Sequence, residues 1–173
     1  MSPNELQVVN IRMVEAPSLY SDKSINNPEA AIEVLAKELA TYDREAVCVV
    51  NLNGTGKPIN LNLVALGSLN MCGVEIREIF KSCILSNARA ILLVHNHPSG
   101  YLAPTREDKE FTSQLIEAGD LLGIPVVDSI ICGTKGDYYS FLSNGMMSEC
   151  RARNRPKAKK VAEKERKIRW KTS

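Results

Sequence analysis

The sequence predicts an α/β fold, a mixed β-sheet flanked by helices, followed by a basic C-terminal tail. Three observations carry that prediction. Strand-like and helix-like segments alternate along the chain. One of them, "ARAILLVHN", is apolar almost throughout over strand length, as expected of a strand covered on both faces. Two other strand segments flank the glycine-rich turn "NGTGKP" and so read as an antiparallel hairpin.

Taken in order, "LQVVNIRMV" mixes alternation with β-branched residues and predicts a first strand over residues 6–14. "PEAAIEVLAKELA" has helical apolar spacing, with Asn27 as its N-cap and Pro28 in its first turn. "EAVCVVNLN" and "INLNLVALG" form the hairpin, and "VEIREIFKSCIL" is a second amphipathic helix. After the apolar strand, "TREDKEFTSQLIEAGDLLG" is a third helix, starting at Thr105 and closed by Gly123. "IPVVDSIICG" and "YYSFL" supply the last strands. Apolar periodicity fades beyond Met147, which divides the chain into an N-terminal strand and linker (1–26), a folded domain (27–147) and a tail (148–173).

Composition narrows the class. With 173 residues, 44% hydrophobic and 24% charged, the chain suits one soluble domain with a real core. No apolar run approaches the roughly 20 residues of a bilayer span. The start "MSPNELQVVN" lacks the basic and apolar parts of a secretory signal, so a cytoplasmic protein without membrane contact is expected. Cys48, Cys72, Cys83, Cys132 and Cys150 are odd in number and form no C-x-x-C pair, which argues against a disulfide framework or a thiolate zinc knuckle. From Glu149 onward there are eleven Lys or Arg against three Asp or Glu, leaving eleven against seventeen in the residues before it. An acidic body thus carries a basic tail, a distribution compatible with nucleic-acid contact in which Trp170 would stack on a base.

The chain's two histidines fall together in "HNHPSGYLAPTRED". Residues i and i+2 of a strand share a face, so His95 and His97 can aim two imidazoles at one point. Asp108 lies in the first turn of the helix that follows, where its carboxylate can reach back over the strand end. Two nitrogens and one carboxylate leave a fourth tetrahedral position open, which separates a catalytic zinc site from a structural one. The plain alternative is a pair of hydrogen-bonded surface histidines.

The same stretch resembles the JAMM signature of the JAB/MPN metalloprotease-like superfamily. Seven residues separate His97 from Thr105, where serine is usual, and two more precede Asp108. "REIFKSCILSNARAILLVHNHPSG", "EAGDLLGIPVVDSIICG" and "YYSF" narrow the likeness to the bacterial RadC family, over about residues 28 to 145. The resemblance implies a JAB/MPN-like, cytidine-deaminase-like sheet and one zinc ion on His95, His97 and Asp108. It further implies Glu45, in "TYDREAVCVVNLN", as general base in hydrolysis of a peptide or isopeptide bond. Thr105 would either stabilise an oxyanion or cap the helix that holds Asp108.

The chain departs from the family pattern at Asp128-Ser129, where "DH" is frequent, and at Glu75 to Glu78, "EIRE", where "HPRE" is frequent. Ser99 in "PSG" is open either to loop geometry or to a ligand contact. Three other functions bear on the same residues. A nucleic-acid or DNA-repair accessory protein with a non-catalytic zinc domain rests on the basic tail. A zinc deaminase needs H-x-E and P-C-x-x-C, which are missing. A barrel with H-x-H at a strand end needs about 200 residues or more in its βα units alone.

Overall fold

The computed structural model describes residues 24–67 and 74–153 without a break, together with positions 13, 14, 16 and 19–21. The predicted strand over 6–14 and the tail beyond 153 lie almost wholly outside those residues. The described elements run α1 (Pro28–Leu39), β1 (Ala46–Leu52), β2 (Pro58–Leu66), α2 (Ile76–Leu85), β3 (Ala90–Asn96), α3 (Arg106–Leu122), β4 (Val126–Cys132) and β5 (Tyr138–Ser140). One five-stranded mixed sheet has the order β2-β1-β3-β4-β5. Only the β3–β4 pair is parallel, and α3 supplies its crossover.

Local chemistry sets the element ends. Asn27 caps α1 by accepting a hydrogen bond from the Ala30 amide at 2.8 Å, and Pro28 sits where its missing N–H costs nothing. The β1–β2 turn is organised by Asn53, whose side-chain oxygen accepts from the Thr55 and Lys57 amides at 2.9 and 3.0 Å. Gly123 closes α3 at φ 70°, the left-handed conformation that glycine adopts without steric cost. Within α3, a Cβ on Gly119 would lie 2.6 Å from the Ile124 carbonyl oxygen, so the helix reaches this close to the start of β4 only because that residue is glycine.

Two apolar clusters sandwich the sheet. On one face α1 packs Ile32, Leu35 and Leu39 against Cys48, Val50, Leu92, Val94 and Ile130. On the other, α2 and α3 bring Ile79, Phe80, Leu115 and Ile116 against Val49, Ile91, Leu93 and Val126. Full burial of each such aliphatic side chain stabilises by about 1.5–3 kcal/mol. β3 lies at the centre with both faces covered, as its unbroken apolar run predicts. β2 is an edge strand with alternating exposure, and Ile59, Leu61 and Leu63 remain part-exposed on it. The core also reaches further along the chain than the fading periodicity suggests. Residues 146–153 are helical and carry Met147 and Cys150 into the α2–α3 cluster.

Among the described residues no helix is long and apolar enough to cross a membrane. Cys48, Cys83, Cys132 and Cys150 are free and buried, in keeping with their apolar surroundings.

Candidate metal centre

The site forms where β3 ends. His95 is the sixth residue of β3 and pairs with Val47 on one side and Ile131 on the other, so its ring turns toward the α3 face. His97 follows one residue past the strand. The chain then turns through Pro98-Ser99-Gly100, with the Gly100 amide donating to the His97 carbonyl at 2.9 Å and Gly100 at φ 75°. This turn brings the Tyr101 carbonyl to 2.6 Å from Nδ1 of His97. Because a carbonyl can only accept, that contact places the ring proton on Nδ1 and leaves the Nε2 lone pair facing inward.

Asp108 enters from the first turn of α3. Its Oδ2 accepts hydrogen bonds from both the amide and the hydroxyl of Thr105, each at 2.7 Å, while the Asp108 amide donates back to the Thr105 hydroxyl at 3.1 Å. This reciprocal capping box fixes the carboxylate, and the N-terminal end of the helix favours its negative charge. Of the two roles open to Thr105 from sequence, the geometry realises the cap. Its hydroxyl is spent on Asp108.

Three donor groups converge. Nε2 of His95 lies 3.2 Å from Nε2 of His97 and 3.2 Å from Oδ1 of Asp108, and Nε2 of His97 lies 3.5 Å from Oδ2 of Asp108. A tetrahedral zinc ion with bonds of 2.0–2.1 Å to nitrogen or oxygen separates its ligands by about 3.3 Å. The His95–His97 and His95–Oδ1 spacings are close to that edge length, and the His97 contact ends on the other carboxylate oxygen, Oδ2. In the neutral ring Nε2 of His97 presents a lone pair, to which the facing nitrogen of His95 can donate or with which it can share a cation; in the protonated ring that nitrogen faces Asp108 as a donor. The donor set fits a divalent ion.

Glu45 stands at the entry to β1, beside both imidazoles. Glu45, His95 and His97 each offer a ligand atom within 4.8 Å of the others, so a second carboxylate adjoins the cluster. Glu45 is only 8% exposed, and its Oε2 is buried with no hydrogen-bond partner among the described residues. Nδ1 of His95 is likewise buried and unpartnered among them. Burial raises the Glu45 carboxyl above its ordinary range, against the opposing pull of His95 and His97, and the charge of Asp108 pushes it further up. Burial acts on Asp108 in the same direction, but hydrogen bonds from the two histidines and Thr105 outweigh it and hold that carboxyl far below the ordinary range. For His97 the hydrogen bond to Asp108 raises the imidazole despite burial, helped by the Tyr101 carbonyl.

The remaining residues singled out from the sequence lie outside this cluster. Asp128 is buried in β4 and accepts from the Ser129 amide, the Ser140 hydroxyl and the Leu142 amide at 2.7, 2.5 and 2.7 Å. It therefore ties β4 to β5 and the turn after it. Ser129 is buried against the Thr112 hydroxyl at 3.1 Å and joins β4 to α3. Ser99 accepts from the Tyr101 amide at 3.3 Å, which is loop geometry. Glu75 stands at the N-cap of α2 and Glu78 lies in its first turn, beside Arg77 and Lys81.

The sequence reading passed over Asn96, between the histidines. Its side chain is 2% exposed and hydrogen-bonds the backbone on either side of Glu45. A carboxamide beside a histidine at the end of an apolar run was the available signal.

A mixed sheet covered by helices on both faces, with two histidines, an aspartate and a glutamate gathered at the end of its central strand, defines a JAB/MPN-type domain. Residues 25–146 match the family model of the RadC-like JAB domain, and the chain belongs to that family. Among curated proteins it is similar to a UPF0758 protein of Caldanaerobacter subterraneus subsp. tengcongensis, 46% identical over 110 residues that cover 64% of this chain and 47% of the relative. It is also similar to a UPF0758 protein of Symbiobacterium thermophilum, 40% identical over 122 residues covering 70% and 52%. The chain spans about half the length of these relatives.

Proposed function

We propose that this domain is a zinc-dependent hydrolase of the JAMM type, acting on peptide or isopeptide bonds. The observation that supports it most is the spacing of 3.2, 3.2 and 3.5 Å among His95, His97 and Asp108, with a buried, unpartnered Glu45 carboxylate alongside. In this reading His95 Nε2, His97 Nε2 and Asp108 hold the ion. When bound, zinc supplies a Lewis acid and a nucleophile available at neutral pH.

The protein's own residues do the rest. Glu45, whose proton affinity burial has raised, takes a proton from the nucleophile and returns it to the departing nitrogen. Its carboxylate lies beside both imidazoles, each offering a ligand atom within 4.8 Å of the others, where it can reach a proton on the nucleophile. Thr105 positions Asp108, and Tyr101 sets the tautomer of His97 through its carbonyl. Membership of the RadC-like JAB family adds support for the class of chemistry.

The test is elemental analysis of the purified full chain beside its variants, with hydrolysis of a peptide and isopeptide panel. About one zinc per chain is expected in the wild type and none in His95→Ala or His97→Ala. Glu45→Gln should keep the metal and lose hydrolysis by about 10²–10⁴-fold. Full zinc retention in both histidine variants would overturn the ligand assignment, and undiminished hydrolysis by Glu45→Gln would overturn its role as base.

A further inference from the structure

The tripeptide His95-Asn96-His97 works on both sides of the sheet. The backbone ladder between β1 and β3 runs from Leu52↔Ala90 to Val47↔His95 and stops there. One residue further, the side chain of Asn96 takes over. Its Oδ1 accepts from the Ala46 amide at 2.7 Å, and its Nδ2 donates to the Arg44 carbonyl at 3.1 Å. A carboxamide has the same complement as a peptide unit, one acceptor oxygen and an N–H donor, so it replaces the missing rung. The two groups it holds are those immediately before and after Glu45. The third bond on this stretch comes from the residue just after β2, where the Gly67 amide donates to the Glu45 carbonyl at 2.8 Å.

We infer that Asn96 is a positioning residue for Glu45: it fixes the main chain on both sides of that residue and so aims the carboxylate at the His95–His97 pair. Strand alternation makes this possible, because Asn96 points to the face opposite the two imidazoles while the same three residues present both histidines. Other side chains match it poorly. Aspartate keeps the acceptor for Ala46 but sets a carboxylate against the Arg44 carbonyl, and alanine removes both bonds. The Gly67 bond holds the Glu45 carbonyl itself, while the carboxylate Oε2 meets no donor among the described residues. The inference about aim rests on the metal-site reading above, whereas the latch itself does not.

The experiment uses the full chain with Asn96→Ala, and with Asn96→Ser as a second variant that leaves a smaller void. Amide hydrogen exchange on the metal-free protein reads the latch directly. Exchange at Ala46 should accelerate about tenfold or more in both variants relative to Val50 of the same strand. An unchanged Ala46 rate would overturn the latch whatever the metal does. Cobalt(II) affinity, measured by competition with a chelator, then reads the aim through a double-mutant cycle. Glu45→Gln removes a negative charge beside the cation and should weaken cobalt binding about 3–10-fold in the wild-type background. Once Asn96 is alanine or serine, the same substitution should cost under about twofold, because the carboxylate is no longer held there. Equal costs of Glu45→Gln in both backgrounds would overturn the positioning role and leave Asn96 as a structural residue only. Loss of the ion in His95→Ala tests the metal reading separately.

Discussion

Two buried carboxylates in this protein have opposite surroundings. Asp128 meets three donors from Ser129, Ser140 and Leu142, and both of its oxygens are engaged. Glu45 is about as buried, yet its Oε2 meets none among the described residues, and two imidazoles and a second carboxylate face it. Burial raises both carboxyls. The first is a finished polar network, the kind that fixes strand positions. The second keeps a buried oxygen without a donor among the described residues, beside two imidazoles that can hold a metal ion with it. Burial alone distinguishes nothing here; the count of satisfied lone pairs does.

The strongest way to break this contrast is Asp108→Ala. Removing the third donor should weaken zinc binding by at least about 100-fold, while the fold survives because Thr105 keeps its α3 cap through the hydroxyl. Chelator competition measures it, and wild-type affinity would remove Asp108 from the ligand set. Asp128 should behave in the reverse manner. Asp128→Ala takes the acceptor from the Ser129 and Leu142 amides and leaves the Ser140 hydroxyl only Ser143, so it should destabilise by about 2–3 kcal/mol in denaturant unfolding, with zinc content unchanged. Asp128→Asn retains an oxygen for the two amides and an N–H for Ser140, so its cost should stay under about 1 kcal/mol.

A smaller effect is expected at Gly100. Alanine at φ 75° is strained, and its Cβ would meet the Thr134 hydroxyl at 3.0 Å, so Gly100→Ala should cost about 1 kcal/mol. By disturbing the Tyr101 carbonyl it should also weaken metal binding by about tenfold, which a cap-only role for this loop would not do. The mildest effect concerns pH. Burial raises the Glu45 carboxyl above 4.5, so the folded chain holds that proton more tightly than the unfolded one. The linked stability is fully present below 4.5 and is lost as pH rises through the folded value. Metal-free Glu45→Gln should therefore gain stability relative to wild type as pH rises above 4.5. A loss over that range would mean that Glu45 is stabilised as an anion.

Much of the architecture was legible because its causes are local. Asn27-Pro28 starts α1, Gly123 ends α3, and the apolar run of β3 reports cover on both faces. The candidate site was legible for a related reason. His95, His97 and Asp108 lie within one strand, turn and helix, so their spacing in sequence nearly equals their arrangement in space. What escaped was tertiary. The register that sets Asn96 against Arg44 and Ala46 depends on pairing two segments fifty residues apart. The burial of Cys150 depends on a hydrogen bond from Ser113 to its carbonyl at 2.8 Å and on a helix with little apolar periodicity of its own.

The groups gathered around this site come from the start of one strand, the end of another and the first turn of a helix. Glu45 lies fifty residues before His95 in sequence, so the full set assembles with the fold and a cation that fits would favour the native topology. At a concentration one hundred times its dissociation constant, such an ion adds about 2.7 kcal/mol to the folded state. The loaded domain would then resist heat and proteases better than the stripped one, and cellular metal supply would govern how long each copy endures.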